Sequence, residues 1–122
     1  MQKRQVLGLY ESVILHGKDK SKKILARIDT GAVKSSIDTT LAKELGLGPF
    51  DKFKTIKSAS GTQERPIINT KVTILNQDFE EEFNIADRSK LTFTALIGQN
   101  ILKKGKFLID PLKEVDEEWE QQ

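Results

Sequence analysis

The stretch from Phe53 to Asn76, "FKTIKSASGTQERPIINTKVTILN", does most to limit what this chain can fold into. Apolar and polar residues alternate along both of its arms. A period of two fits a strand with one buried face and does not fit a helix. Between the arms stand Ser58, Ala59, Ser60 and Gly61, all small. The spacing predicts a long β-hairpin whose tip lacks bulky groups and could move over a cleft. Pro66 has no amide N–H to give to a ladder, which places it at an edge or bulge of the returning arm.

Other segments follow the same logic. "VLGLYESVIL" (Val6–Leu15) and "KKILARID" (Lys22–Asp29) read as two strands joined by the polar turn "GKDKSKK". "SSID" (Ser35–Asp38) is a short strand. In "TTLAKELGLG" the period changes, with Leu41, Ala42 and Leu45 at helical spacing, Thr39 or Thr40 as cap and Gly46 as stop. "DFEEEFNIAD" is a strand with its glutamates toward solvent. "FTALIG" (Phe93–Gly98) is apolar nearly throughout and reads as a buried strand. "QNILKKG" is a short helix closed by Gly105, and "KFLIDP" a last strand. From Glu114 to Gln122 there are five acidic residues and no basic one, a solvated or frayed end. Seven or so short strands with two short helices describe a small, mainly β barrel or sandwich.

The chain has 122 residues, which suits one domain with a modest core. Charged residues at 31% and hydrophobic ones at 37% mark a folded chain rather than a disordered one. A net charge of +2 with one Tyr and one Trp gives no footprint for nucleic acid. No apolar run approaches the roughly 20 residues of a membrane helix, and the N-terminal run is too short for a signal peptide. The expected location is the cytoplasm. With no Cys and a single His, His16, neither a thiolate zinc site nor an H-E-x-x-H helix is available. His16 reads as an ordinary residue near a strand end.

"DTGA", Asp29 to Ala32, ends the second strand. As plain structure it is a turn, since Asp and Thr bond back to the chain and Gly permits positive φ. As chemistry it is a carboxylate on a tight loop. Farther on, "ALIGQN" (Ala95–Asn100) ends a buried strand on Gly98, where a missing side chain lets another segment come close.

Taken in order, "IDTGA" (Ile28–Ala32), the hairpin around Ser58–Gly61 and "LIGQNIL" (Leu96–Leu102) resemble the retropepsin-like aspartic peptidases. More specifically, "ARIDTGAVKSSID", "SASGTQERPII" and "LIGQNIL" look like the bacterial and archaeal family named ATP-dependent zinc proteases, over roughly Val6 to Pro111. The zinc in that name finds no ligand set here, and the ATP finds no Gly-rich phosphate loop. The resemblance implies a mainly β fold, a small closed β-barrel of the retropepsin type with one or two short helices. It implies one such domain over 1–122, with 113–122 as an acidic tail. It makes Asp29 the catalytic carboxylate. Thr30, Gly31 and Ala32 form the active-site loop, backed by Leu96, Ile97 and Gly98. Ser58, Ala59, Ser60 and Gly61 form the tip of a substrate-covering flap. No metal and no cofactor are implied.

Hydrolysis of a peptide bond by carboxylates needs an acid and a base on two sides of a water. Two aspartates about 3 Å apart share one proton, the effect for which aspartic proteases are the standard example. This chain has one Asp-Thr-Gly; Asp19, Asp38, Asp51, Asp78, Asp87, Asp110 and Asp116 lack that context. A two-fold homodimer would bring two Asp29 together, and the resemblance implies that Thr30 bonds across it. Retroviral relatives often pair an acidic residue after the alanine with an arginine after the "IIG" glycine. Here those positions hold Val33 and Gln99, so the loop is expected to be held differently. The expected function is an aspartic endopeptidase acting as a homodimer on a peptide or protein substrate. The alternative is a catalytically inactive peptide-binding module on the same fold, and a third reading treats the motifs as coincidences in an unrelated small barrel. Members of the family often sit beside ligases that add glutamates to protein tails, which suggests trimming of acidic tails. Arg65, stiffened by Pro66, is then the candidate cation for gripping an acidic side chain.

Overall fold

In the computed structural model, residues 3–59 and 61–115 are described. The strands in chain order are β1 (Val6–Leu7), β2 (Tyr10–His16), β3 (Ser21–Ile28), β4 (Ser35–Asp38), β5 (Phe53–Ser58), β6 (Gly61–Ile74), β7 (Gln77–Ala86), β8 (Ala95–Ile97) and β9 (Leu108–Ile109). Helix α1 spans Thr39–Glu44 and α2 spans Gln99–Lys104.

Six strands close into a barrel. Their order is β2-β3-β8-β4-β7-β6, and β6 returns to pair with β2 through Ile14–Thr73, Leu15–Val72 and His16–Lys71. Closure leaves no free edge among these six. The alternation seen in the sequence turns inward as the barrel requires: Val13 and Leu15 from β2, Ile24 and Ala26 from β3, Val72 and Ile74 from β6 are buried. Phe83, Ile37 and Ile97 fill the centre, and Phe79 meets Phe107 edge to face at 5.9 Å. The fold is thus the expected mainly β closed barrel with two short helices.

The long hairpin forms as the spacing predicts. β5 pairs only with β6, from Phe53–Pro66 to Ser58–Gly61, so its arms project from the barrel wall. Pro66 is the last β6 residue paired to β5; from Ile67 onward β6 pairs with β7. The other end of β6 turns into β7 through Leu75 and Asn76, both at positive φ (47° and 70°), the geometry of a two-residue hairpin loop.

Four expectations are corrected. The strand Val6–Leu15 is two strands, because Val6–Leu7 pairs with β9 whereas Tyr10–His16 pairs with β3. The cap of α1 is Asp38 rather than Thr39 or Thr40: its Oδ2 accepts the amides of Thr40 (3.1 Å) and Leu41 (3.3 Å). Of the β7 glutamates, only Glu80 is exposed; Glu81 and Glu82 are half-buried and ion-paired to Lys104 and Lys54. The run Phe93–Gly98 supplies a strand only over Ala95–Ile97. Most of the acidic end, residues 116–122, lies outside the described residues.

Asp38 also accepts the Arg88 backbone N–H through Oδ1 at 2.8 Å, so one buried carboxylate fixes both a helix start and the loop after β7. Asp38→Ala should lower stability by about 2 kcal/mol, the upper range for a lost cap, measured by denaturant unfolding.

Candidate active site

The loop bearing Asp29 is suspended between two strands. At its entry the Ile28 N–H donates to Leu9 O (3.0 Å), and the Asp29 N–H donates to Ile97 O (2.9 Å). The loop then doubles back: Gly31 N–H donates to Asp29 Oδ1 at 2.9 Å and Ala32 N–H to Asp29 O at 3.3 Å. A carboxylate with a backbone donor two residues on is held in one orientation. Asp29 is half-buried, whereas Thr30, Gly31 and Val33 are exposed.

The start of α2 backs this loop. Gln99 N–H donates to Ala32 O (2.8 Å), Asn100 N–H to Val33 O (3.2 Å), and Gln99 Nε2 to Thr30 O (2.8 Å). This replaces the ion pair absent at Val33 and Gln99 with a neutral amide on a carbonyl. The close approach requires Gly98: an ideal Cβ there would lie 2.2 Å from Lys34 O and 2.7 Å from Ala32 O. Beneath it, Ser35 Oγ accepts the Gly98 N–H (2.9 Å) and donates to Asn100 Oδ1 (2.8 Å). Asn100 Nδ2 donates in turn to Glu82 O (3.0 Å).

Asp29 borders a cleft of about 690 Å³ that runs between its loop and the projecting hairpin. Of the residues named from sequence, Asp29, Gly31, Ala32, Val33, Ala59, Arg65 and Leu96 line it. Ile97 is fully buried and Gly98 serves as the packing point behind the loop. Thr30 lines a different cavity, of about 780 Å³, with Gln99, Leu102 and Phe107. Ser58 and Gly61 end the two hairpin strands, and Ser60 lies outside the described residues.

Other cleft residues, apart from Lys57 as a cation before the hairpin tip, carried no sequence signal. Lys34, Ser36, Lys54, Lys57, Glu82, Asn84 and Arg88 also line it. Register explains the grouping: Ser36 on β4 is opposite Asn84 on β7, and Glu82 lies two residues along the same face. Lys54 Nζ pairs with Glu82 Oε1 at 2.8 Å. Arg65 donates to Gln63 Oε1 (3.0 Å) and Asn84 Oδ1 (3.1 Å). Five cations face two carboxylates, Asp29 and Glu82, so the cleft is electropositive. Burial, then the like charge of Arg65, pushes the Arg88 guanidinium below its ordinary value, with Asp38 opposing. Among the described residues no three His, Cys, Asp or Glu side chains gather as a metal site, and no helix is long and apolar enough to cross a membrane.

A family model described as RimB-like, for the retropepsin-like aspartic endopeptidase RimB, matches residues 47–118. That span holds the hairpin and the β8–α2 segment and begins after Asp29. No curated protein matches the chain. Among solved structures, Lpg0085 from Legionella pneumophila, a DUF785 protein of unknown function, superposes with a TM-score of 0.68 at 15% identity, covering 93% of this chain and 98% of its own. EIAV protease complexed with the inhibitor HBY-793 superposes with a TM-score of 0.62 at 17% identity, covering 90% and 95%. Both likenesses are of fold.

Proposed function

This chain belongs to the RimB-like family of retropepsin-like aspartic endopeptidases, and on that premise we propose that it hydrolyses peptide bonds as a homodimer, each subunit contributing one Asp29. The proposal takes residues 1–122 as one retropepsin-like domain. The observation that carries it is the Asp29 loop itself. Its carboxylate is oriented by Gly31 N–H at the border of a hairpin-covered cleft, and its outer residues Thr30, Gly31 and Val33 are exposed.

A water held between the paired carboxylates attacks the scissile carbonyl carbon. The ionised carboxylate takes the water's proton while the protonated one gives its proton to the carbonyl oxygen. The resulting diol collapses: the C–N bond breaks, the amine leaves with a proton, and the pair returns to its singly protonated state. The rigid mount of the loop on Ile97 and Gln99 supports such preorganisation.

Thr30 suits the dimer contact. Among the described residues only its carbonyl is engaged within the chain, by Gln99. Activity should fall on dilution as dimers separate, with sedimentation following the same midpoint. Thr30→Val should shift that midpoint upward about tenfold in concentration, the effect of one lost buried hydrogen bond. A fully active monomer would contradict the shared site. Acidic substrates are the class the cleft's excess of cations supports, and trimming of acidic protein tails is the finer form of the proposal.

A further inference from the structure

The cations of the cleft are not equivalent. Lys54 is neutralised by Glu82 at 2.8 Å. Lys57 is exposed on the hairpin, and Lys34 is only half-buried, on a flexible stem beside the Asp29 loop. Arg65 already spends Nε on Gln63 and one terminal nitrogen on Asn84. Arg88 differs from all of these. The residue is only 9% exposed, yet among the described residues no carboxylate lies within ion-pair distance of its guanidinium. Its Nε donates to Phe93 O at 3.0 Å, which fixes the plane of the group. Neither terminal nitrogen has a hydrogen-bond partner among the described residues. The buried unpartnered polar atoms are Ser36 Oγ and Glu82 Oε2, so the Arg88 terminal nitrogens keep some accessible surface in the cleft.

A buried guanidinium with no carboxylate in ion-pair contact, Asp38 and Asp29 acting on it only at longer range, is costly, and its two terminal N–H groups match one carboxylate through two hydrogen bonds. We propose that Arg88 is the specificity-determining residue of the cleft, receiving one carboxylate of the substrate. The inference rests on the peptidase reading for the identity of the ligand as a peptide. Burial of the group raises its discrimination, because a neutral side chain at that place leaves the charge uncompensated. The carboxylate could belong to an acidic side chain or to the terminus of a peptide.

The test uses matched peptides, neutral except at one position, where Glu replaces Gln at successive places. A further pair ends in a free acid or an amide. Binding is measured by calorimetry on the full-length Asp29→Asn protein, and cleavage on the unaltered one. We expect one position where Glu, or the free acid, binds about tenfold tighter than its neutral isostere. Arg88→Gln should bring that ratio near one. Arg88→Lys, which keeps the charge but loses the planar fork, should retain part of it. Arg65→Ala should lower that ratio much less than Arg88→Gln does. A preference confined to the terminal pair assigns the site to a terminal carboxylate. A ratio unchanged in Arg88→Gln, or no preference at any position, overturns the assignment. Selective binding without any turnover by the unaltered protein would instead contradict the peptidase reading and leave Arg88 as the carboxylate reader.

Discussion

Asp29→Asn should reduce peptide cleavage by about 10⁴-fold or more while leaving the fold and the dimer in place, because the acid and the base of the proposed reaction are both this residue. Asparagine keeps the shape, and its side-chain carbonyl can still accept the Gly31 N–H that Asp29 Oδ1 accepts at 2.9 Å. What disappears is the proton that the pair passes between water and scissile carbonyl. Denaturant unfolding and sedimentation of the variant should match the unaltered protein. Substantial turnover by the variant would remove the catalytic role of Asp29 and leave a peptide-binding module on a retropepsin fold.

Gly98→Ala is the second large effect, and its cause is purely steric. The added Cβ would stand 2.2 Å from Lys34 O and 2.7 Å from Ala32 O, both backbone atoms that cannot rotate away. Relief requires moving α2 off the Asp29 loop. That movement breaks the bonds from Gln99 and Asn100 to Ala32 and Val33. Overpacking of this kind should cost about 3 kcal/mol of stability. Displacing a catalytic group by even about 1 Å should lower kcat/KM at least about 100-fold. Thermal unfolding and turnover measured on the same preparation separate the two effects. A variant with unaltered activity would show that the tight backing of the loop is not needed.

The hairpin and the tight turn at Asp29 were both legible in the sequence, for the same reason: each is written in local pattern. Alternation on both sides of four small residues can only be a hairpin, and β5 and β6 formed as read. The Asp38 cap was not legible, because Asp38 ends a strand in which every residue is buried, and a strand reading left no role for its carboxylate. The two-residue turn at Leu75–Asn76 was missed because leucine is a poor residue for positive φ; it is kept there by packing against the core and by Gln5, whose Nε2 donates to Leu75 O at 3.1 Å. In the cleft, Arg88 lies in a polar stretch that reads as an ordinary loop. Only the packing of β4, β7 and β8 into the barrel brings it to the same cleft as the loop of Asp29, far earlier in the chain. The loss of the expected charge pair at Val33 and Gln99 was visible, but its replacement by a Gln99–Thr30 bond depends on a side-chain direction that sequence does not carry.

The central claim is that two Asp29, one from each chain, make a single catalytic site. Mixing the unaltered protein with Asp29→Asn at fixed total concentration, with time for subunit exchange, tests it directly. If both aspartates are needed, activity follows the square of the unaltered fraction and an equal mixture retains about a quarter of the starting activity. A linear fall, with about half the activity left at the equal mixture after exchange has been demonstrated, would mean that each chain works alone and would contradict the shared site.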